Sequence, residues 1–308
     1  GAIYGGSITA ILVKTPGTAN SAATVLDGYP LTMRGEAARA LGISTFSSMF
    51  GGLFSAIMLL WTAPLLSKVA LSFTSPEYFS LAIFGLSMVT SLSSKNVTKG
   101  LISAVFGLML GTVGMDALTG VKRFTFGTTY LLGGIAMVPV LIGLYAFSQG
   151  LANVENAGGE QKHESVRLKR TFPSLPDLRK TLPTMIRSSV IGTVVGALPG
   201  TGGDIASWLA YNEARRWDKK PEEFGSGRIE GVAAPEAANN AVSGGALIPL
   251  LTLGIPGDAG TAVMLGALMM QGIVPGPLLF TNEKVKVYTI IVGLFVANIF
   301  MGLLGFCG

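Results

Sequence analysis

The chain has 308 residues, of which 49% are hydrophobic and 13% charged, with a net charge of +5 and a mean hydropathy of +0.56. Soluble domains carry about twice this charged fraction, so the composition excludes a large soluble enzyme core. Uncharged apolar windows reach the roughly 20 residues that cross a bilayer, which indicates an all-α, polytopic membrane protein. The single cysteine, Cys307, excludes an intrachain disulfide and a multi-cysteine metal site.

The first half consists of apolar segments separated by short basic connectors. Residues 1–14 end at Pro16-Gly17, where the chain breaks and then resumes. Residues 40–62 are long enough to span a bilayer, and Trp61 at their end suits an interfacial position. Residue 1 is glycine and the last residues stop within an apolar run, so we expect parts of the complete protein to be missing at both ends. The other predicted segments are 19–30, 64–76 (interfacial or half a span), 77–94, 100–118 and 127–148.

Residues 150–183 are rich in charge and contain three prolines, so this stretch cannot lie in hydrocarbon. Its excess of lysine and arginine predicts a cytoplasmic linker. The linker divides the chain into a first membrane repeat, residues 1–149, and a second membrane repeat, residues 184–308. The clustering of basic residues in short loops reflects membrane orientation, and we expect no nucleic-acid partner.

The second half contains two further breaks. Residues 184–198 run into Pro199-Gly200, and residues 203–214 run out to a basic cluster that begins at Arg215. If both flanks are cytoplasmic, the segment enters the membrane and returns, which predicts a re-entrant hairpin with its tip at 199–203. The third break is Pro256-Gly257-Asp258, and residues 285–306 form a final span.

Helix breaks at membrane depth leave backbone N–H and C=O groups unpaired, and these survive only inside protein or beside a wet cavity. A half-helix that begins at a break presents its amides to an anion, whereas the carbonyls that end the preceding half-helix favour a cation. Paired breaks in two halves of a chain therefore indicate a midplane site in a secondary transporter. Here each break is followed by small and hydroxyl residues.

Polar residues near the breaks are the candidate ligands of an anion. Lys14 either pairs with a substrate carboxylate or snorkels to the interface, or pairs with an acid. The residues after each break either donate to a carboxylate or cap the resumed helix, and the two asparagines either line the cavity or brace helices. The candidate anion ligands are Lys14, Thr15, Gly17, Thr18, Asn20, Ser21, Pro199, Gly200, Thr201, Gly202, Asn239 and Asn240.

Asp258 is the strongest candidate for the coupling cation. It binds Na⁺ with nearby carbonyls, carries a proton, or caps its helix. The accompanying residues are Gly257, Thr261, Ser243 and Asp204, the last of which we expect to be a cap. We expect no cofactor and no metal other than Na⁺ as a coupling ion. Glu236 follows Pro235, and we interpret it as an acid in the first turn of a helix.

Several short motifs along the chain form a pattern known from one family: Tyr4-Gly5-Gly6-Ser7-Ile8, Pro16-Gly17-Thr18, Leu26-Asp27-Gly28-Tyr29-Pro30, Arg39-Ala40-Leu41-Gly42-Ile43, Leu198-Pro199-Gly200-Thr201-Gly202-Gly203, the run from Glu230 to Ala241, and Leu253-Gly254-Ile255-Pro256-Gly257-Asp258. The chain resembles the large membrane subunit of tripartite tricarboxylate transporters, the TctA family. The resemblance covers almost everything except the linker. It departs at Lys14, where citrate-type members have a neutral polar residue.

The resemblance implies a secondary transporter that imports a di- or tricarboxylate across the bacterial inner membrane, driven by a Na⁺ or H⁺ gradient. It also implies a small membrane subunit, a periplasmic binding protein and an upstream Pro-Gly hairpin before Gly1. We predict a multi-pass transporter, not an enzyme, with two inverted repeats that expose the site alternately by rocking or an elevator-like shift. The alternatives are a channel, an intramembrane enzyme or a membrane scaffold for other subunits.

Overall fold

The structure is a computed structural model that describes residues 2–74, 97–116, 119–135, 172–199 and 201–307, with a few single positions between 76 and 151. The described residues are mostly helical. The helices are α1 (Ala2–Val13), α2 (Val25–Met33), α3 (Ala37–Ala70), α4 (Val97–Gly111), α5 (Leu175–Ala197), α6 (Gly203–Trp217), α7 (Ile229–Leu253), α8 (Ala259–Met270), α9 (Leu279–Asn282) and α10 (Lys284–Cys307). Short 3₁₀ turns cover Ala19–Ser21 and Pro221–Glu223.

The chain forms two compact units that are discontinuous in sequence. The first unit contains Gly1–Leu71, Lys162–Thr261 and Pro275–Gly308. The second contains Ser72–Gln161 and Ala262–Val274. The second unit includes α4 and a short antiparallel ladder, in which β1 (Gly114–Met115) pairs with β2 (Lys122–Arg123). All three helix breaks lie in the first unit.

Helix α7 is the centre of the first unit. Every one of its residues except Ser243 and Leu253 is buried, and it packs against α3, α5 and α6. Its sequence is rich in alanine and glycine, with Glu230 and Glu236 as its acids, which suits a helix surrounded by protein on all sides. It ends at Gly254, which adopts the left-handed conformation (φ +72°) and donates its N–H to the Leu250 carbonyl at 3.0 Å.

Glycines allow α3 and α5 to approach α7 backbone to backbone. A side chain added at Gly51 of α3 would collide with the carbonyl of Ala237, and one added at Gly192 of α5 would collide with the carbonyl of Ala238. Glycines of α7 permit close contacts in the same way: Gly244 lies against Ser55 of α3. Small residues at such crossings are typical of helices that pack within membranes.

Replacing Gly192 by valine is expected to force α5 away from α7, because the added atoms meet a rigid backbone carbonyl. The expected loss of stability is about 3 kcal/mol or more, the upper range for overpacking. The melting temperature of the purified protein in detergent measures it. Gly107→Val is the matched control, since no described atom lies within 4 Å of a side chain added there. Equal melting temperatures for the two variants would contradict the packing assigned to α5.

Within the described ranges, two helices are long and apolar enough to cross a membrane: α3 and α10. Both present large apolar side chains that protein does not cover: Trp61 is 73% exposed on α3 and Leu304 is 70% exposed on α10. This outward apolar surface suits contact with lipid acyl chains. The predicted spans 40–62 and 285–306 fall within these two helices.

The first half departs from the predicted boundaries in three places. The helix predicted to stop near residue 62 continues through Pro64 to Ala70, because a helix-interior proline removes only one backbone donor. The predicted span 100–118 ends as a helix at Gly111 and is followed by the β1–β2 ladder, so the chain is not purely α-helical. Residues 127–135 form turns. Most of 136–148 and of 77–94 lies outside the described residues.

The second half contains a helical hairpin around Pro199. Helix α5 begins at Leu175, within the stretch predicted as linker, because Ser174 caps it by accepting the Asp177 amide hydrogen at 3.3 Å. Helices α5 and α6 lie side by side and are joined by residues 198–202. This arrangement places the tip of the hairpin against the first unit's central helix.

Candidate functional site

The first break folds back onto the helix that precedes it. Helix α1 ends at Val13, and Lys14 adopts a left-handed conformation (φ +59°) that turns the chain. The Gly17 amide then donates to the Gly6 carbonyl at 3.2 Å. A side chain added at Gly17 would lie 2.9 Å from the Gly6 Cα, so the pair of glycines is what permits this close return.

A capping box starts the short 3₁₀ turn after the break. The Thr18 amide donates to Ser21 Oγ at 3.3 Å, and Ser21 Oγ donates to the Thr18 carbonyl at 2.9 Å. These bonds satisfy polar groups that would otherwise be left by the interrupted helix. They also fix the position of Asn20, which lies inside the turn.

The second break joins the C-terminus of α5 to the N-terminus of α6. The Thr201 hydroxyl donates to the carbonyl of Leu198 at 2.8 Å and to the carbonyl of Val195. Gly202 then provides the N-cap of α6, whose first intrahelical bond runs from the Ala206 amide to the Gly202 carbonyl. The amides at the start of α6 therefore have no partner in their own helix.

Three segments meet at Gly203, the first residue of α6. A side chain added there would lie 2.5 Å from Asn239 Oδ1 and 2.7 Å from Asn20 Nδ2. The site is thus lined by the amide of the first break, the helix start of the second break and an amide from the middle of α7. We call this the Asn20–Gly203–Asn239 site.

Asn239 is fully buried, and within the described residues neither its Oδ1 nor its Nδ2 has a hydrogen-bond partner. An unsatisfied buried amide costs about 1–3 kcal/mol, so its presence in a native protein needs an explanation, and a bound water, ion or ligand supplies one. The adjoining start of α6 carries a partial positive charge and unpaired amides. The two features together suit an anion with several acceptor oxygens, such as a carboxylate.

The third break reaches the same end of α5. A side chain added at Gly257 would collide with the Gly196 carbonyl, in the last turn of the helix whose Val195 carbonyl accepts from Thr201. Asp258 caps α8: its Oδ1 accepts from the Thr261 amide at 2.8 Å, and Thr261 Oγ1 accepts from the Asp258 amide at 2.9 Å. All three breaks therefore converge within one unit of the structure.

The sequence model of the Tripartite tricarboxylate transporter TctA family matches residues 1–308. The chain belongs to the TctA family.

Two relatives from Agrobacterium vitis extend this result. The chain is 40% identical over 307 residues, or 99% of its length, to the "Uncharacterized 52.8 kDa protein in TAR-I ttuC' 3'region". It is 43% identical over 113 residues, or 37% of its length, to the "Uncharacterized protein in TAR-II ttuC' 3'region", of which the match covers 47%. The chain spans 60% of the length of the first of these relatives. No solved structure matches it.

The site brings together some of the residues predicted to bind the anion in this TctA-family chain. Asn20, Gly202 and Asn239 lie at or beside the start of α6, and Pro199 lies in the same connection. Gly200 lies outside the described residues. Convergence of the first two breaks thus places residues that are far apart in sequence beside one another.

Other predicted anion ligands bond to the backbone around them. Thr18 and Ser21 form the capping box, and the Thr201 hydroxyl caps α5. Asn240 Nδ2 donates to the Glu236 carbonyl at 3.0 Å, and Gly17 packs on Gly6. In this structure the hydroxyl groups of Thr18, Ser21 and Thr201 therefore cap helix ends.

Lys14 and Thr15 lie on the exposed side of the first break. Lys14 Nζ is 5.6 Å from the centroid of the Tyr29 ring, a cation–π arrangement, and Thr15 Oγ1 donates to the Val13 carbonyl at 3.3 Å. Among the described residues, no acid forms an ion pair with Lys14. Its positive charge is therefore not neutralised by a described carboxylate.

The predicted cation residues are distributed over three places. Asp258, Thr261 and Gly257 form the third break, as described above. Ser243 Oγ donates to the Asn240 carbonyl at 2.6 Å, within α7. Asp204 lies in the first turn of α6, where no capping bond from its side chain is present in the described part of the chain, contrary to our expectation of a cap.

Asp27 is a buried acid to which the sequence reasoning assigned no role. Its Oδ1 accepts the amide hydrogens of Gly225, Gly227 and Arg228 at 3.0, 2.8 and 2.7 Å, and its Oδ2 accepts from the Tyr211 hydroxyl at 2.9 Å. The carboxylate thereby ties α2 and α6 to the segment that leads into α7. In the sequence, Asp27 is the only charged residue between Lys14 and Arg34, and this isolation could have indicated its buried role.

Arg228 forms ion pairs within the segment that Asp27 binds, between α6 and α7. Its guanidinium contacts Asp218 at 2.6 Å and Glu223 at 2.9 Å. Burial of Asp218 acts to raise its pKa, but hydrogen bonds from Arg228 and from the Lys220 amide outweigh burial and hold the pKa below its usual value. These ion pairs stabilise the polar segment that connects α6 to α7.

Glu236 does not lie in the first turn of its helix, contrary to the prediction from the sequence. Helix α7 begins seven residues earlier, at Ile229, so Glu236 lies in the third turn, where it is fully buried. Glu236 is the only charged residue in the run 231–253, and this isolation could have indicated a buried functional acid. Pro235 does not start the helix but is accommodated inside it.

Proposed function

We propose that this chain forms the substrate-translocating part of a secondary active transporter that imports a di- or tricarboxylate across the bacterial inner membrane. The observation that carries the proposal is the fully buried amide of Asn239, which has no hydrogen-bond partner among the described residues and lies beside Asn20 and the N-terminus of α6. Membership of a tripartite tricarboxylate transporter family supports the same reading.

The carboxylate is proposed to accept hydrogen bonds from the Asn20 and Asn239 amides and from the first amides of α6. Donors of this kind are pre-organised by the two helix breaks, so little side-chain entropy is lost when the anion binds. Lys14, exposed in the same connection as Asn20, is proposed to receive a second carboxylate group. Thr15, Thr18, Ser21, Thr201 and Asn240 remain proposed ligands only if their hydroxyl or amide groups leave their present backbone partners.

A Na⁺ or H⁺ gradient is proposed to drive uptake. The coupling cation would bind at the third break, where Asp258 carries the charge and Gly257, Thr261, Ser243 and Asp204 supply further oxygens. A periplasmic binding protein is proposed to deliver the substrate, and a small membrane subunit to complete the assembly. Two inverted repeats, with a re-entrant hairpin formed by α5 and α6, would expose the site alternately to the two sides.

The proposal is tested with the complete assembly in proteoliposomes. Citrate, malate, succinate and tartrate are offered in turn, with a Na⁺ gradient and an H⁺ gradient imposed separately. We expect accumulation of at least one of these anions with one of the gradients. Uptake that persists after the gradient is collapsed would identify a channel instead. Uptake that requires the partner subunits but not this chain would show that the chain is a membrane scaffold and not the translocating subunit.

Replacing Asp258 by serine is expected to remove the charge but retain the cap, because serine also accepts the Thr261 amide hydrogen. Gradient-driven accumulation should fall about tenfold, equivalent to one lost charge-assisted contact. The melting temperature should stay near that of the wild type, whereas Asp258→Ala should lose about 1 kcal/mol of helix capping. Normal accumulation by the serine variant would show that Asp258 acts only as a cap.

A further inference from the structure

Glu236 lies at the centre of a buried polar cluster. The Thr24 hydroxyl donates to Glu236 Oε1 at 2.6 Å, and the Ser48 hydroxyl donates to Oε2 at 3.0 Å. All three residues are fully buried. They come from the first break, from α3 and from α7, so the carboxylate joins three separate parts of the first unit.

Further hydroxyl groups from α1 and α3 surround the same point. Ser7 Oγ and Ser44 Oγ are 2.8 Å apart and lie beside the Glu236 carboxylate, and the Ser7 hydroxyl donates to the Tyr4 carbonyl at 2.7 Å. The Tyr4 hydroxyl is 2.6 Å from Thr45 Oγ1 in the adjoining part of α1 and α3. We define the Glu236 cluster as Glu236 with the four hydroxyl residues Ser7, Thr24, Ser44 and Ser48.

The cluster holds a carboxylate without a counter-charge. Among the described residues, no lysine, arginine or histidine pairs with Glu236. The titratable neighbours are Tyr4 on α1, which lies within electrostatic range of the Glu236 carboxylate, and Asp27 on α2, which lies against Gly231 and is bound by Tyr211 and three backbone amides. Neither supplies positive charge. Burying an unpaired carboxylate costs several kcal/mol, and a proton or a bound cation removes that cost.

The oxygen count indicates which cation fits. One carboxylate and several hydroxyl oxygens suit a proton or a monovalent cation such as Na⁺. Within the part of the chain that the structure describes, no three acidic, histidine or cysteine side chains come together, so a divalent cation finds no such set of ligands there. The cluster therefore matches the ions that drive secondary transport.

Glu236 is also placed to act on the anion site. It precedes Asn239 by three residues on α7, so the two side chains project from adjacent turns of one helix face. Thr24 follows Asn20 by four residues after the first break. A cation that enters the cluster thus binds to the same two segments that hold the Asn20 and Asn239 amides.

We propose that the Glu236 cluster binds the cation that couples transport, either as a proton on the carboxylate or as Na⁺ held by the carboxylate and hydroxyl oxygens. This inference rests on the proposed function and adds a cation site distinct from Asp258. Filling the cluster neutralises Glu236 and orders the first break against α7. The anion site is then complete only when the cation is present, which is the requirement for symport.

The test compares two activities of the reconstituted assembly: gradient-driven accumulation, and exchange of labelled for unlabelled carboxylate in the absence of a gradient. The probe is whichever of citrate, malate, succinate and tartrate the wild type exchanges fastest. Glu236→Gln retains the shape but not the charge; its amide oxygen still accepts from one hydroxyl, and its amide nitrogen donates to the oxygen of the other. We expect it to lose accumulation by about tenfold or more, while exchange stays near the wild-type rate.

Glu230→Gln is the matched control, because Glu230 is also a buried acid on α7 but is paired with Lys180 at 3.1 Å. It should retain both activities. Accumulation by Glu236→Gln equal to that of Glu230→Gln would overturn the inference. Absence of exchange by the wild type with all four anions would overturn the proposed function and this inference together, so the two failures are distinguishable.

A second variant covers the case in which Glu236→Gln does not fold. Ser48→Ala removes one hydroxyl from the cluster with little change in volume. It should raise the Na⁺ or H⁺ concentration needed for half-maximal accumulation by about tenfold, with exchange at saturating cation unchanged. The ion whose dependence shifts is the coupling ion. An unchanged dependence on both ions would overturn the inference.

Discussion

Replacing Asn239 by leucine is expected to reduce carboxylate uptake strongly and at the same time to stabilise the protein. Leucine has a similar volume and no polar atoms, so it removes the cost of a buried amide that has no partner among the described residues. The gain in unfolding free energy should be about 1–3 kcal/mol. Uptake should fall about tenfold to a hundredfold, because the anion loses a donor in a buried site.

The measurements are the melting temperature in detergent and uptake in proteoliposomes at equal protein content. Asn298→Leu is the matched control: Asn298 is also buried, but its Nδ2 donates to the Leu294 carbonyl at 2.8 Å. That variant should lose stability and retain uptake. If Asn239→Leu destabilised the protein as Asn298→Leu does, the amide would have a structural partner and the anion site would be misplaced.

Replacing Asp27 by alanine is expected to cause the largest loss of stability. Three backbone amides and the Tyr211 hydroxyl would lose their acceptor; the hydroxyl is buried, the amides of Gly227 and Arg228 are half-buried, and Gly225 is exposed. A buried donor left without a partner costs about 1–3 kcal/mol, and the half-buried amides add to it, so the loss should be about 3 kcal/mol. The segment between Asp218 and Arg228 should become sensitive to limited proteolysis, which is the measurement that localises the effect.

Asp27→Asn tests whether the loss follows from hydrogen bonding or from charge. Its Oδ1 can still accept the three amide hydrogens, and its amide nitrogen can donate to the Tyr211 hydroxyl oxygen. We therefore expect asparagine to recover most of the stability that alanine loses. Equal losses for the two variants would mean that the negative charge of Asp27, rather than its acceptor geometry, holds the segment.

The positions of the three breaks follow from local chemistry and could be predicted. Proline lacks an amide hydrogen and disfavours a helical backbone at the residue before it, and glycine is a poor helix former, so Pro16-Gly17, Pro199-Gly200 and Pro256-Gly257 predict interruptions of apolar helices. The helices α3 and α10 were likewise indicated by their long uncharged runs. Local rules were less reliable at Pro64, because the helix continues through this proline to Ala70.

The roles of single acids could not be predicted, because they depend on which segments meet. Glu236 and Asp258 both follow a proline within two residues, yet one is buried among hydroxyl groups and the other caps a helix. Asp27 lies in a motif that carries family resemblance, but its partners are about 200 residues away in the sequence. Nothing in the neighbourhood of an acid in the sequence records contacts at such separations.

The amino-acid sequence therefore specified a helical membrane protein of the TctA family with interrupted helices, since these properties arise from hydropathy and from the backbone limits of proline and glycine. Tertiary packing decided that α7 lies at the centre, that Asn20, Gly203 and Asn239 meet, and that Glu236 is enclosed. The reason is steric: glycines at positions such as Gly51 and Gly192 let helices approach backbone to backbone, and this approach buries amides and carboxylates against distant parts of the chain.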